Sequence, residues 1–291
     1  MELLTLYVGQ GALAAVRAGG EAIIVDAHMP DTEEVTPEQV EDSLSVFTRK
    51  SRVVGLILTG FDRDHAPPQG VDSILTYHDP DWVMYPKCFK DTDCTSELFQ
   101  VIERHERRRQ NTSRPLVRHS LRLDRIESRH LEDLHLAEQF RFELFSPHIA
   151  DMDSSNNSSL VLKVTGRGPA GFSYLVTGDT ETERWTTINE FFGGNLRSDV
   201  MAAPHHGSLT GVNAETILNV YPNTVLISAG VDNQYDHPHP TAVQVYRSVA
   251  THVFATNCDA EGACLFTRRT GGDFDTQLVR HAPIPPARAA G

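Results

Sequence analysis

Four short stretches of this 291-residue chain carry acids and imidazoles suited to holding a cation or moving a proton. The first is Thr59-Gly60-Phe61-Asp62-Arg63-Asp64-His65, with two carboxylates and an imidazole within four residues. Carboxylates that close repel unless a cation lies between them. A carboxylate–imidazole set suits Zn2+ or Mn2+. The second, Leu175-Val176-Thr177-Gly178-Asp179, ends an apolar run in a glycine turn that presents Asp179. In the third, Pro204-His205-His206-Gly207-Ser208, adjacent imidazoles must point different ways, so one is expected to ligate and the other to shape the pocket. The fourth, Asp236-His237-Pro238-His239-Pro240, sets two imidazoles on a proline-stiffened loop. Histidine is both the commonest metal ligand and an acid or base near neutral pH. Each stretch alone also suits an ordinary polar turn. Together they supply nitrogen and oxygen donors for one or two divalent ions.

Each stretch follows a strand-like run, and loops leaving strands are where sites are usually built. Apolar, β-prone segments are expected as strands at 3–8, 22–25, 53–58, 140–145, 159–164, 172–176, 199–203, 224–228 and 252–255. Helical patterns fall at 38–50, 95–109, 185–192, 214–221 and 241–249. Strands and helices alternate in both halves with no repeat and no clean linker, which predicts one α/β domain over 1–282. A Pro/Ala-rich tail at 283–291 reads as disordered. The segment 77–140 stands apart as a variable, arginine-rich middle.

Hydrophobic residues make up 40% and charged residues 22%, an ordinary globular composition. No apolar run approaches the roughly 18 residues of a membrane span, and residues 1–20 lack the basic start and apolar core of a signal peptide. Cys88, Cys94, Cys258 and Cys264 form no CxxC pair and read as thiols in a reducing compartment, so the cytoplasm is the expected location. The net charge of −13 argues against binding nucleic acid by overall charge. Residues 101–126 are the exception, with eight arginines against three acids. Arg107, Arg108 and Arg109 are therefore expected to contact phosphates, the alternative being a solvated helix.

Taken in order, the stretches resemble the metallo-β-lactamase superfamily, and more nearly the soluble nuclease domain of the competence DNA-uptake family ComEC/Rec2. The likeness runs from residue 2 to about residue 270. Val8-Gly9-Gln10-Gly11 resembles the opening VGQGD, and Ile24-Val25-Asp26 the following IDxG. Gly60 to His65 stand where the superfamily has HxHxDH. Asn156 to Leu162 match NNxSLVL, and the 177–179, 204–208 and 236–240 stretches match the remaining motifs. The resemblance implies a four-layer αββα sandwich with metal at the strand-end rim. By position, Asp62 and His205 would hold a first ion. Asp64 and His65, aided by His237, would hold a second, and Asp179 would bridge the two. Asp64, His206 and His239 become the catalytic candidates, and Asn156 a substrate contact. Gly60 replaces the first histidine and removes one first-metal donor. Ala12 replaces the aspartate of VGQGD, Ala66-Pro67-Pro68 replaces a small apolar run, and His28 follows Asp26 where glycine is usual.

The activity implied is metal-dependent phosphodiester hydrolysis by a stand-alone nuclease of low sequence specificity, using one or two Zn2+ or Mn2+ ions. Nucleic acid is the expected partner, a membrane is not, and protein partners or a homo-oligomer are left open. The alternatives are a hydrolase of a small or cell-wall phosphodiester, and a degenerate module without activity.

Overall fold

The computed structural model describes all residues except 31, 33, 89, 126, 150–153 and 282–291. The tail expected to be disordered thus lies outside the described residues. The first half of the chain contributes β1 (Glu2–Thr5), β2 (Ala14–Ala18), β3 (Glu21–Val25), β4 (Arg52–Ile57), β5 (Trp82–Pro86) and β6 (Val117–Leu121). With them come α1 (Pro37–Thr48), α2 (Pro68–Tyr77) and α3 (Asp93–Arg109). The second half contributes β7 (Arg129–His130), β8 (Phe140–Ser146), β9 (Val161–Gly166), β10 (Ser173–Val176), β11 (Val200–Ala202), β12 (Thr224–Ile227) and β13 (His252–Ala255). Its helices are α4 (Thr182–Phe192), α5 (Ala214–Val220) and α6 (Pro240–Arg247). A closing hairpin, β14 (Cys264–Thr270) and β15 (Asp273–Val279), returns to the first sheet.

The first sheet has the order β15-β14-β1-β2-β3-β4-β5-β6 and the second β13-β12-β11-β10-β9-β8-β7. In each, one half is antiparallel and the other parallel: β3 to β6 run together, as do β10 to β13. Of the parallel strands, β3, β4 and β5 are the continuous apolar runs, buried on both faces. Along β3, Ile23 and Val25 face the second sheet and pack with Leu162, Val164 and Leu175. Ala22 and Ile24 face outward onto Leu44, Ile74, Leu98 and Ile102 of α1, α2 and α3. Trp185, Ile188, Ile217 and Tyr246 of α4, α5 and α6 cover the other side. Helices on both outer faces of two packed sheets make the four-layer αββα sandwich.

The middle segment is integral to this frame: β5 and β6 extend the first sheet, and β7 starts the second. The expected helices and strands fall where the periodicity puts them, within a few residues at their ends. Not expected were β2, β5, β6, β7, α2 and the closing hairpin. Proline at the start of α2 reads as a breaker, yet Pro68 occupies the first helical turn, where an N–H has no partner to lose. All four cysteines are free. Among the described residues, no helix is long and apolar enough to cross a membrane.

Candidate metal centre

The loops that leave the parallel strands of both sheets meet at one rim. β3 ends at Asp26, whose backbone adopts the left-handed region (φ 59°) and turns the carboxylate inward. Its oxygens accept from the Thr59 amide (2.7 Å) and hydroxyl (2.8 Å), so the loop after β4 is clamped to the end of β3. The same carboxylate accepts from Nδ1 of His65 at 2.9 Å. That bond fixes the ring and aims Nε2 at Asp179, whose Oδ1 lies 2.8 Å away. A carboxylate behind an imidazole is the arrangement that orients metal-binding histidines.

Asp179 leaves β10 through Gly178, which sits at φ +52°. A Cβ there would come within 2.8 Å of Ser159 Cβ and 3.0 Å of Thr59 Cβ, so the close approach of the two loops requires glycine. The Asp179 amide donates to Ser159 Oγ at 3.1 Å. After β11, His205 and His206 both take left-handed backbone (φ 49° and 56°), which splays their rings apart. His206 donates from Nδ1 to the Ser228 carbonyl (2.9 Å), leaving Nε2 as the free ring nitrogen.

Asp64, His65, Asp179 and His206 each present one donor atom, and these four atoms lie within 4.8 Å of one another. His206 Nε2 is buried and makes no well-aligned hydrogen bond, standing 3.4 Å from Asp64 and 3.6 Å from Asp179. A buried imidazole lone pair left over between two carboxylates is what a divalent ion would satisfy. The residues therefore fit a metal. Without one, the acids and imidazoles must neutralise each other. Burial disfavours charge on His65, but Asp179 and Asp26 outweigh it and hold its pKa well above the usual value. His206 is raised for the same reason, burial being overcome by Asp179 and Asp64. Burial works against both acids, yet Asp179, held by His65 and His206, and Asp64, held by the same two rings, lie below the usual carboxylate range.

The other expected site residues divide. His205 keeps Nδ1 3.2 Å from Thr210 Oγ1 and 3.5 Å from Glu181, and its Nε2 is 4.0 Å from Asp179. His237 stands at the rim, its ring centroid 5.9 Å from His205, where burial and the neighbouring imidazoles push its pKa down to about 4. Asn156 lines the same cavity and donates to Glu181 at 3.3 Å. That cavity, about 540 Å3, also takes in Gln10, His28, Arg63 and Tyr235.

Three sets of expected residues are engaged by other partners. Asp62 lines the cavity but is not one of the four converging donors: it pairs with Lys90, and its other oxygen accepts from Ser155 Oγ at 2.6 Å. His239 uses Nδ1 to cap α6, accepting from the Thr241 amide at 3.2 Å, and it does not line the cavity. The arginines lie at the wrong end. Arg109 donates to the Pro80 carbonyl, before β5 begins, at 2.6 Å, whereas the rim is where β5 ends, about 17 Å further on. Arg107 pairs with Glu103, and Arg109 is buried against Asp79. Arg107 and Arg109 are thus paired within the helix and at the start of the strand.

The reading of residues alone missed the supporting groups Asp26, Thr59, Ser228, Glu181 and Lys90. Only Asp26 carried a signal, as an acid ending a buried apolar run. The others become visible when loops far apart in sequence converge.

No family model matches the chain. It is 30% identical over 217 residues to ComE operon protein 3 of Bacillus subtilis (strain 168), covering 74% of this chain and 25% of that protein. Competence protein ComA of Neisseria gonorrhoeae is 33% identical over 131 residues, 45% of this chain and 18% of that one. Recombination protein 2 of Haemophilus influenzae is 30% identical over 104 residues, 35% and 12% respectively. The chain thus spans a quarter or less of the curated relatives it matches. Among solved structures, Igni18, a metallo hydrolase from the archaeon Ignicoccus hospitalis, superposes with a TM-score of 0.51 at 14% identity, covering 91% of this chain and 98% of that one. The chain has the metallo-β-lactamase fold and is a homologue of one part of the ComEC/Rec2 competence proteins.

Proposed function

We propose that this chain is a metal-dependent phosphodiester hydrolase acting on nucleic acid with low sequence specificity. The observation that carries the reading is the convergence of Asp64, His65, Asp179 and His206 around one buried, unsatisfied imidazole nitrogen. Two imidazoles and two carboxylates suit Zn2+ or Mn2+. An ion held there supplies Lewis acidity, making water more acidic and offsetting charge on a phosphoryl oxygen.

The chain's own residues do the rest. Asp26 holds the His65 ring, and the Ser228 carbonyl holds that of His206. His205, steadied at Nδ1 by Thr210 and Glu181, offers Nε2 to the cavity as the proton donor for the leaving oxygen. At the cavity mouth, the exposed ring of Tyr235 lies over His237 with centroids 5.6 Å apart. An exposed aromatic face suits an unstacked base, and the Arg63 guanidinium nearby suits a phosphate. Neither contact reads a base edge, hence the low specificity. A relative named for recombination favours a polynucleotide substrate.

A second reading, a hydrolase of a small phosphodiester, is favoured by the remoteness of Arg109, which is held at the Pro80 end of its strand. The test is cleavage of labelled single- and double-stranded DNA and RNA, alongside bis(p-nitrophenyl) phosphate, with added Zn2+ or Mn2+. Polynucleotide cleavage abolished by chelator and by Asp179→Ala is expected. Turnover of the chromogenic ester alone selects the second reading. No turnover of any substrate, with metal bound, selects a degenerate module.

A further inference from the structure

Among the described residues, the donors fall short of two complete metal sites, and a lysine stands at the shortfall. Position 60, where the resemblance expects a first-metal histidine, is glycine. Among the described residues, a Cβ there would meet nothing nearer than Ser159 Oγ at 3.9 Å, so none of their side chains fills the space. Asp62, the next expected donor, is already satisfied on both oxygens, by the Lys90 ammonium and by the Ser155 hydroxyl. An ion bound to Asp62 would have to displace that ammonium or share the carboxylate with it, and like charges in contact oppose each other strongly. Among the described residues, no donor of the first sheet contacts His205, and its Nδ1 is held by Thr210.

We propose that this chain holds a single divalent ion, on Asp64, His65, Asp179 and His206, and that the Lys90 ammonium takes over the charge-neutralising part of a second. The inference rests on the metal-dependent reading above and gives it a stoichiometry. Asp62 becomes an anchor for a fixed cation instead of a ligand. His205 is released from metal binding, which leaves it free to carry a proton.

The experiment counts ions. The full chain is saturated with Zn2+, freed of unbound ion by gel filtration and assayed by plasma mass spectrometry, with Co2+ absorption reporting the ligand field. Wild type is expected to retain one ion per chain, and Gly60→His combined with Lys90→Ala to retain two, with a second Co2+ band set. Two ions in the wild type overturn the inference and leave the hydrolase reading standing. No ion in the wild type overturns both. One ion in both proteins overturns the assignment of the shortfall to Gly60 and Lys90. Should circular dichroism show the double variant unfolded, Lys90→Ala alone decides: a weak second equivalent in Zn2+ titration supports the proposal, and an unchanged single equivalent overturns it.

Discussion

Asp26 and His65 lie 39 positions apart in the chain, yet the carboxylate of one accepts from the ring of the other at 2.9 Å. Asp26 touches none of the other converging donors, so its effect on chemistry passes through His65. Removing such a supporting carboxylate typically costs 10- to 100-fold in metal affinity. Asp26→Ala is expected to weaken Zn2+ binding by about that factor in competition with a chromophoric chelator. Asp26→Asn, which can still accept from the ring, should lose less. Equal affinity in all three proteins would remove the positioning role.

The arginine cluster gives the opposite expectation. Changing Arg107 and Arg108 to alanine should leave both the rate and the KM for polynucleotide within about twofold, because these side chains sit at the far end of the strands. Arg109→Ala should instead act on stability. It strips donors from the Pro80 and Arg114 carbonyls and one of two arginine partners from Asp79. A loss of about 1–3 kcal/mol is expected, read as a lower melting temperature with kinetics intact. A collapse of polynucleotide cleavage in the double variant, with the chromogenic ester spared, would return the arginines to the substrate.

Tyr235→Ala tests the cavity mouth. Stacking one base on an aromatic ring contributes about 1–3 kcal/mol, so kcat/KM for an oligonucleotide should fall between about fivefold and a hundredfold. Bis(p-nitrophenyl) phosphate, with no nucleobase, should show a smaller change. Tyr235→Phe should restore most of the loss, since only the hydroxyl is removed.

Acid sensitivity should come in part from α1. Burial alone would raise the Glu41 carboxyl, but its ion pair with His78 (2.7 Å) and the hydroxyls of Ser73 and Ser45 outweigh it and hold its pKa below the ordinary 4.5. A carboxyl with a lower pKa folded than unfolded gives its full stabilisation above pH 4.5, and loses it as pH falls through that value and below. Urea midpoints should therefore drop between about pH 6 and pH 3. In Glu41→Gln the midpoint should be lower at the upper pH and change less across the range. An identical slope in the two proteins would place the acid sensitivity elsewhere.

Much of the frame was legible because strand and helix leave different spacings of apolar residues. β3, β4 and β12 are buried on both faces and appear as unbroken apolar runs. The donors were legible as types, since Asp64, His65, Asp179 and His206 all follow such runs. Which of two neighbouring histidines turns inward was not. That depends on the left-handed backbone at 205 and 206 and on the Ser228 carbonyl, which comes from a different strand. The pairing of Asp62 with Lys90 was hidden for a similar reason, being a contact between loops 28 positions apart. The closing hairpin carried its signal openly, as Gly271-Gly272 at a tight turn with both φ positive, but its strands are too polar to stand out.

Asp64 and His65 hang from the first sheet, whereas Asp179 and His206 hang from the second. An ion gripped by all four would work as a rivet through the seam of the sandwich. At a hundred times its dissociation constant it would add about 2.7 kcal/mol to the work of prying the two halves apart. Chelation would then loosen the whole body of the protein as well as silence its chemistry.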